Sequence, residues 1–432
     1  MITLCATLRA VSYSIDVNLY RTTKMRILLI VVYYPPSTTS GAQMMYDLAR
    51  EFVRQDHQVM VVTPSSSIER AISITNEDGV TVIRVKTGHL RSSNKILRLW
   101  RESRLSSIIW RKVYNTFLEN PCQLIVFYSP TIFFGDLVRK LKHLWGSISY
   151  LVHRDIFPQW AVDAGVIRNG GMLHRYLVRK ELGQYAAATI IGVEAPGNLN
   201  YFENRLHGKR YQAEVLYNWI GEYTYSTGVS EWRKKLGIED KTIFFYGGNI
   251  GVAQDMDNIV RLASNLRSYP DLVVLLIGDG SEVSRLRREI ERLDLYNVKM
   301  LAAIPQEEYM QALSEADVGI VSLDKRLQSN NFTGKALSYL SCGKPILASV
   351  NPGNDLIKVL HDADAGIACI NGDDETLRDA ALLLATQPLV RKRMGQNARA
   401  LGEARFSVQA VATQILAGYR NAVDGVRSTS QE

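Results

Sequence analysis

Cysteine is scarce in this chain, and none of it is paired. Cys5, Cys122, Cys342 and Cys369 fall at no CxxC spacing and near no histidine cluster. That argues against a disulfide framework or a zinc site and points to a reducing, cytoplasmic setting. Long apolar runs are missing as well: no stretch of about 18 uninterrupted apolar residues occurs, so no transmembrane helix is expected. There is no repeat of solenoid period and no low-complexity segment. Charge is not strongly of one sign. The net +8 over 432 residues is moderate, and no nucleic-acid partner is expected from it.

What is present has the composition of a soluble globular enzyme, with 46% hydrophobic and 22% charged residues. The length fits two domains of about 200 residues each. Residues 1–24 mix polar, apolar and aromatic side chains without period, after which Lys24-Met25-Arg26 opens a clean apolar strand. A targeting segment needs a continuous apolar core that this stretch lacks, so it reads as an unstructured or mis-called extension, with Met25 as the true start.

Two sheets are written into the rest. In the second half IFFYGGNIG (Ile243–Gly251), VVLLIGDGSE (Val273–Glu282), VGIVSL (Val318–Leu323) and KPILASVNPG (Lys344–Gly353) are buried strands that break into loops. Such runs, alternating with helical periodicity, predict a parallel sheet covered on both faces, with ligands beyond the carboxyl ends of its strands. Gly247, Gly248, Asn249 and Gly251 then stand at a site edge, where backbone N–H groups can approach phosphate oxygens. A plain glycine turn gives the same pattern. In the first half, strands are expected at Ile27–Tyr34, Gln58–Thr63, Val80–Val85, Gln123–Ser129, Ile148–His153 and Thr189–Glu194. A crossover helix at Gln43–Gln55 carries Met44, Leu48, Phe52 and Val53 on its apolar face. The fold class predicted is α/β, two Rossmann-like doubly wound domains facing a cleft, which is a favoured place for a ligand.

In order and spacing, YYPPSTTSGAQMMYDLAREFVRQDHQVMVVT, LIGDGSEVSRLRREI, EADVGIVSL and YLSCGKPILAS resemble the family 4 retaining glycosyltransferases of GT-B architecture. The likeness runs from Met25 to about Tyr419 and is nearest the bacterial surface-polysaccharide subgroup of O-antigen and colanic-acid pathways, fucosamine-type transferases included, through YGGNIGVAQDMD at Tyr246–Asp257. The resemblance implies residues 25–215 as the amino-terminal acceptor-side domain and 216–402 as the nucleotide-sugar-binding domain. Residues 403–432 would be a carboxyl-terminal helix packing back on the first domain, with a tail. It implies sugar transfer with retention, from a nucleotide diphosphate donor, UDP-linked in the first instance, to a lipid-linked or oligosaccharide acceptor.

Donors aimed at the leaving diphosphate would stabilise its growing charge. Donor binding is expected at Gly41, Gly248, Asn249, Gly251, Gly278, Asn330, Lys335 and Ser338. Lys335 in FTGKALSYLSCGKP becomes the main cation against the diphosphate, unless it is a solvated surface lysine. His153 and Asp155, at a strand end, are the expected sugar-reading and catalytic pair, unless the histidine is merely packed. Arg154 can supply the charge that Asn249 lacks. The family's Glu-x7-Glu pair falls on Asn330 and Ser338, neither a carboxylate, so no acid or base is named and donor phosphate is the implied base. Asp373-Asp374 matches a late acidic turn away from the sugar, so neither a catalytic metal nor a cofactor is expected. Two other readings stay open on this scaffold: a nucleotide-sugar epimerase, and an inactive membrane-associated subunit that binds nucleotide sugar.

One segment bears on location. Leu90–Leu118 interleaves Arg98, Arg101, Arg104 and other cations with Trp100 and aliphatic residues against one acid, Glu102. That is the pattern of an interfacial helix on an anionic membrane, and equally of a helix packed on its own sheet with a solvated basic face. With a lipid-linked acceptor, Arg98, Trp100, Arg101 and Arg104 are the expected membrane contacts, and the place is the inner face of the cytoplasmic membrane.

Overall fold

The computed structural model describes residues 24–37, 39–90, 95–154, 156–163, 166–205, 211–221, 231–327 and 333–429. Asp155 and Asn330 lie outside them, as do residues 1–23. The doubly wound reading of both halves holds.

The first sheet contains β1 (Arg26–Ile30), β2 (Gln58–Ser65), β3 (Ile72–Glu77), β4 (Val80–Lys86), β5 (Leu124–Ser129), β6 (Ile148–His153), β7 (Ile190–Val193) and β8 (Gln212–Val215), ordered β3-β4-β2-β1-β5-β6-β7-β8. Every pairing is parallel except β3 with β4. The runs ILLI and LIVF are buried on both sides, because helices cover both faces. One face packs Met45, Leu48 and Phe52 of helix Ser40–Arg54, and the other packs Ile109, Val113 and Phe117 of helix Leu105–Glu119.

The second sheet is wholly parallel: β9 (Thr242–Asn249), β10 (Leu272–Asp279), β11 (Val298–Leu301), β12 (Val318–Ser322), β13 (Ile346–Val350) and β14 (Gly366–Ile370), ordered β11-β10-β9-β12-β13-β14. Helix Gly334–Ser341 covers one face through Leu337 and Leu340, and helix Met256–Asn265 the other through Ile259 and Leu262.

The chain crosses between the sheets twice. Residues 216–221 lead out of β8, and the last helix, Val408–Thr429, returns to the first sheet, where Val411, Ile415, Leu416 and Tyr419 join its core. The two crossings bind one another: Ile220 donates its N–H to Phe406 (2.9 Å) and accepts from Val408 (3.1 Å). On the other side Gly197, just past β7, donates to the Asp355 carboxylate, just past β13, at 3.4 Å. The carboxyl edges of the two sheets therefore face each other.

The segment from Leu90 to Leu118 is not one interfacial helix. It forms helix Lys95–Ser103 and helix Leu105–Glu119, and in the second of these Leu105, Ile109, Val113 and Phe117 are fully buried on the sheet. The apolar stripe of that half is core; only the half carrying Trp100 leaves a large apolar side chain more than half exposed.

Candidate active site

At the carboxyl edge of the second sheet, β9 and β10 end in glycines because their backbones nearly touch. A Cβ on Gly278 would lie 1.9 Å from the Gly248 carbonyl oxygen, and Gly248 itself has φ +115°, a conformation L residues rarely adopt. Tyr246, one turn of β9 earlier, donates its hydroxyl to the Asn249 carbonyl at 2.5 Å. The Asn249 side chain donates to Gln254 (2.7 Å) and lies over Gly251, so its amide is held locally and not left open.

Opposite this turn begins helix Gly334–Ser341, preceded by Thr333 in extended conformation. The Lys335 ammonium is buried, 3.8 Å from the centre of the Tyr246 ring, and has no hydrogen-bond partner among the described residues. Its Cε lies 3.9 Å from where a Gly248 Cβ would be. Burial pulls its pKa from 10.5 down to about 7. The buried Thr333 hydroxyl is likewise unpartnered. A cation and a hydroxyl left unsatisfied at a helix amino end form an arrangement that an anion would complete. Ser338 stands one turn along the helix from Lys335, on the same side.

Gly41 belongs to the first turn of helix Ser40–Arg54, and a Cβ there would meet the Tyr128 hydroxyl at 2.9 Å. It sits at the carboxyl edge of the first sheet, on the domain opposite Lys335. His153 is 1% exposed, with Nε2 3.0 Å from the Tyr185 hydroxyl and its ring packed edge-on against both Tyr185 and Phe202. Burial, then the charge of Arg154, push its pKa down to about 3, so the ring is neutral. Arg154 is spent on backbone, donating to the carbonyls of His153 (2.8 Å) and Tyr217 (3.2 Å). The structure thus brings Gly248, Gly278, Asn249, Gly251, Lys335 and Ser338 to one edge and keeps His153 inside the first domain.

Sequence reasoning missed Thr333 and Tyr246. The only available signal was a threonine just before a helical run. A cavity of about 590 Å³ lies at the amino edge of the second sheet beside Lys344, Arg391 and Arg399. Its Arg391 faces Asp317 at 3.8 Å and its Lys344 donates to the Ser314 carbonyl, polar partners of a kind that Lys335 lacks among the described residues. Among the described residues no cluster of three or more His, Cys, Asp or Glu could hold a metal, and no helix is long and apolar enough to cross a membrane.

Residues 229–401 match the family model described as glycosyl transferases group 1. The chain is 24% identical over 240 residues to a probable glycosyltransferase, WbjE, of Pseudomonas aeruginosa, a match covering 55% of this chain and 60% of the relative. It is also 24% identical over 231 residues, 50% of this chain and 54% of the relative, to a putative colanic acid biosynthesis glycosyl transferase, WcaI, of Escherichia coli K12. The chain therefore spans little more than half the length of the curated relatives it matches. Among solved structures, Anabaena HepE in complex with UDP and glucose superimposes with a TM-score of 0.60 at 17% identity, over 92% of this chain and 100% of that one. The chain accordingly carries a glycosyl transferases group 1 domain in residues 229–401, set within a two-domain GT-B fold.

Proposed function

We propose that this protein is a retaining glycosyltransferase, moving a sugar from a UDP-linked donor to a lipid-linked or oligosaccharide acceptor in the making of a bacterial surface polysaccharide. The observation that carries the reading is the buried Lys335 ammonium at a helix amino end, held over the Tyr246 ring with no hydrogen bond among the described residues and lying beside the Gly248 turn. Support comes from the family match, from the colanic acid relative, and from the UDP bound in the Anabaena neighbour.

In this reading residues 216–402 hold the donor, residues 25–215 the acceptor, and residues 403–432 dock back on the first domain. As the glycosidic bond breaks, charge builds on the diphosphate, and Lys335 with the N–H groups of Thr333–Lys335 meets it. Those donors are fixed before the reaction, so they stabilise the transition state without reorganising. Ser338 offers a hydroxyl to the nucleoside where relatives offer a carboxylate. Gly41 leaves the first helix turn open towards the same diphosphate. The donor phosphate takes the acceptor proton on the face from which the leaving group departs. Asp155 belongs to the sugar side of this reading, while His153, packed inside the first domain, does not touch the sugar. Work on a lipid-linked acceptor places the protein on the cytoplasmic face of the membrane.

Lys335→Ala is expected to fold normally and to lower turnover by one to three decades, about 1.4–4 kcal/mol of lost charge stabilisation. Radiolabelled sugar passing from UDP-sugar into the organic phase with membranes measures it, and parent-like turnover removes Lys335 from the site. Tight UDP binding by the parent with no transfer to any acceptor would instead favour a nucleotide-sugar-binding subunit, the reading that Ser338 in place of a carboxylate keeps alive.

A further inference from the structure

The sequence directs membrane contact to Leu90–Leu118, through Arg98, Trp100, Arg101 and Arg104, yet the most exposed large apolar side chain described lies elsewhere. Met172, the first residue of helix Met172–Ala187, is 89% exposed, against 54% for Trp100. Leu173 and Tyr176 on the same side of that helix are exposed as well, as is Val166 before it. Farther round, the helix buries Leu177, Glu181 and Tyr185.

These two exposed sets are neighbours. Leu99 of helix Lys95–Ser103, Ile167 and Leu177 all pack on one small cluster with Ile132 and Phe133, so the helices lie side by side over it. Their outward charge is predominantly positive, with Lys180 paired to the exposed Asp136 at 3.0 Å. Residues 166–180 contain Arg168, Arg175, Arg179 and Lys180 and no acid. Glu102, the one acid of helix Lys95–Ser103, is turned inward, where it pairs with Arg98 at 2.8 Å and accepts from Thr131. Arg104 lies over the Trp100 ring at 4.7 Å, a cation carried on an aromatic platform.

We propose that helix Lys95–Ser103 and the segment Val166–Arg179 form one face that docks on an anionic lipid bilayer, with Met172, Leu173 and Trp100 entering the headgroup region and Arg104, Arg168, Arg175 and Arg179 meeting lipid phosphates. The charge complementarity selects this occupant: exposed apolar tips ringed by arginines suit an interface that is apolar inside and negative outside. Placement agrees. Both segments follow carboxyl ends of strands, β4 and β6, the edge that faces the second domain. The same edge holds a cavity of about 270 Å³ lined by Tyr33, Ser65, His89 and Leu90, and Arg101 donates to the His89 carbonyl at 2.6 Å. The face thereby sets that cavity beside the bilayer surface, within reach of a polar headgroup that stays out of the lipid. This placement of an acceptor rests on the proposed function; the lipid contact does not.

The test is sedimentation of the full chain with phosphatidylglycerol–phosphatidylethanolamine vesicles, with pure phosphatidylcholine vesicles beside them, and UDP binding followed by calorimetry on every sample. The parent is expected to bind only the anionic vesicles, less so in high salt. Met172→Asp with Leu173→Asp, both at exposed sites, is expected to lower partition at least tenfold. Arg175→Gln with Arg179→Gln is expected to lower it about fivefold per arginine at low salt. UDP affinity should not change in either. Equal binding to neutral and anionic vesicles overturns the proposal, as does parent-like partition of the Met172/Leu173 variant. A parent dimer that this variant abolishes, with no vesicle binding by the parent, overturns it in favour of a protein interface. Vesicle binding without any UDP binding would sink the glycosyltransferase reading and leave the docking face standing.

Discussion

Lys335 is a charge the fold holds at a cost. Its pKa, near 7 in the folded protein and near 10.5 when solvated, means that between those values the unfolded chain binds more protons, so stability rises with pH across that window. Below pH 7 both states are charged and the penalty is present in full. Lys335→Met should therefore be the more stable protein at pH 6, by a margin that shrinks towards pH 10, while losing affinity for UDP. Thermal unfolding over that pH range checks the first part; a variant less stable than the parent at pH 6 would show that the ammonium is compensated after all. The parent should take up protons when UDP binds at pH 7–8, because the diphosphate returns the lysine towards its ordinary pKa, and affinity should fall as pH rises further. Calorimetry in buffers of different ionisation enthalpy reads that uptake. Lys335 was legible in the sequence through FTGKALSYLSCGKP. Its neighbour Tyr246 was not, because it reaches Lys335 by a tertiary approach across about 90 residues that no local pattern records, and Thr333 offered only the weak signal of a threonine before a helical run. His153 shows the opposite failure: a histidine at a strand end reads as cleft-facing, and only Tyr185 and Phe202, far along the chain, decide that it is packed.

At the scale of elements, the buried strands were readable and the edges were not. β1, β5, β9 and β12 are continuous apolar runs because both of their faces are covered. β3 is largely exposed and polar, and β11 has only four residues, so neither carries enough pattern to separate it from loop. One local signal was available. Asp78-Gly79, with φ of 51° and 82°, makes the tight β3–β4 turn that such a dipeptide favours. The basic segment shows where periodicity stops being informative, since a stripe that packs on a sheet and a stripe that packs on lipid look alike in sequence. Helix Val408–Thr429 has a clearer consequence. Ile415 is fully buried against the first sheet, and Ile415→Ala should cost about 2–5 kcal/mol. Denaturant unfolding followed by a probe in the first domain reads it, and a loss confined to the second domain would contradict the packing.

For the whole molecule, the two-domain plan was legible because each half repeats strand, turn and helix in its own register. The return of residues 403–432 to the first domain was implied by the resemblance, but the pairing of Ile220 with Phe406 and Val408, which links residues nearly 190 apart, was not legible. The Gly197–Asp355 contact spans the mouth of the cleft. Burial raises the Asp355 pKa, so this one cross-domain bond is weaker in acid, where the carboxyl is more readily neutral.

Because the last helix completes the first domain, the domain made first is finished last. A chain emerging from the ribosome exposes the apolar surface around Met45, Leu48 and Phe52 until Val411–Tyr419 arrives, after the entire second domain has been made. Nascent chains cut short anywhere before residue 408 should therefore be soluble only with help, while adding the 408–429 peptide to a 25–221 fragment should restore protease resistance to that fragment. Limited proteolysis with and without the peptide measures it, and a fragment equally resistant in both would mean the first domain is complete without its end. The arrangement makes helix Val408–Thr429 a condition of a stable amino-terminal half, so a message truncated ahead of it yields no stable first domain.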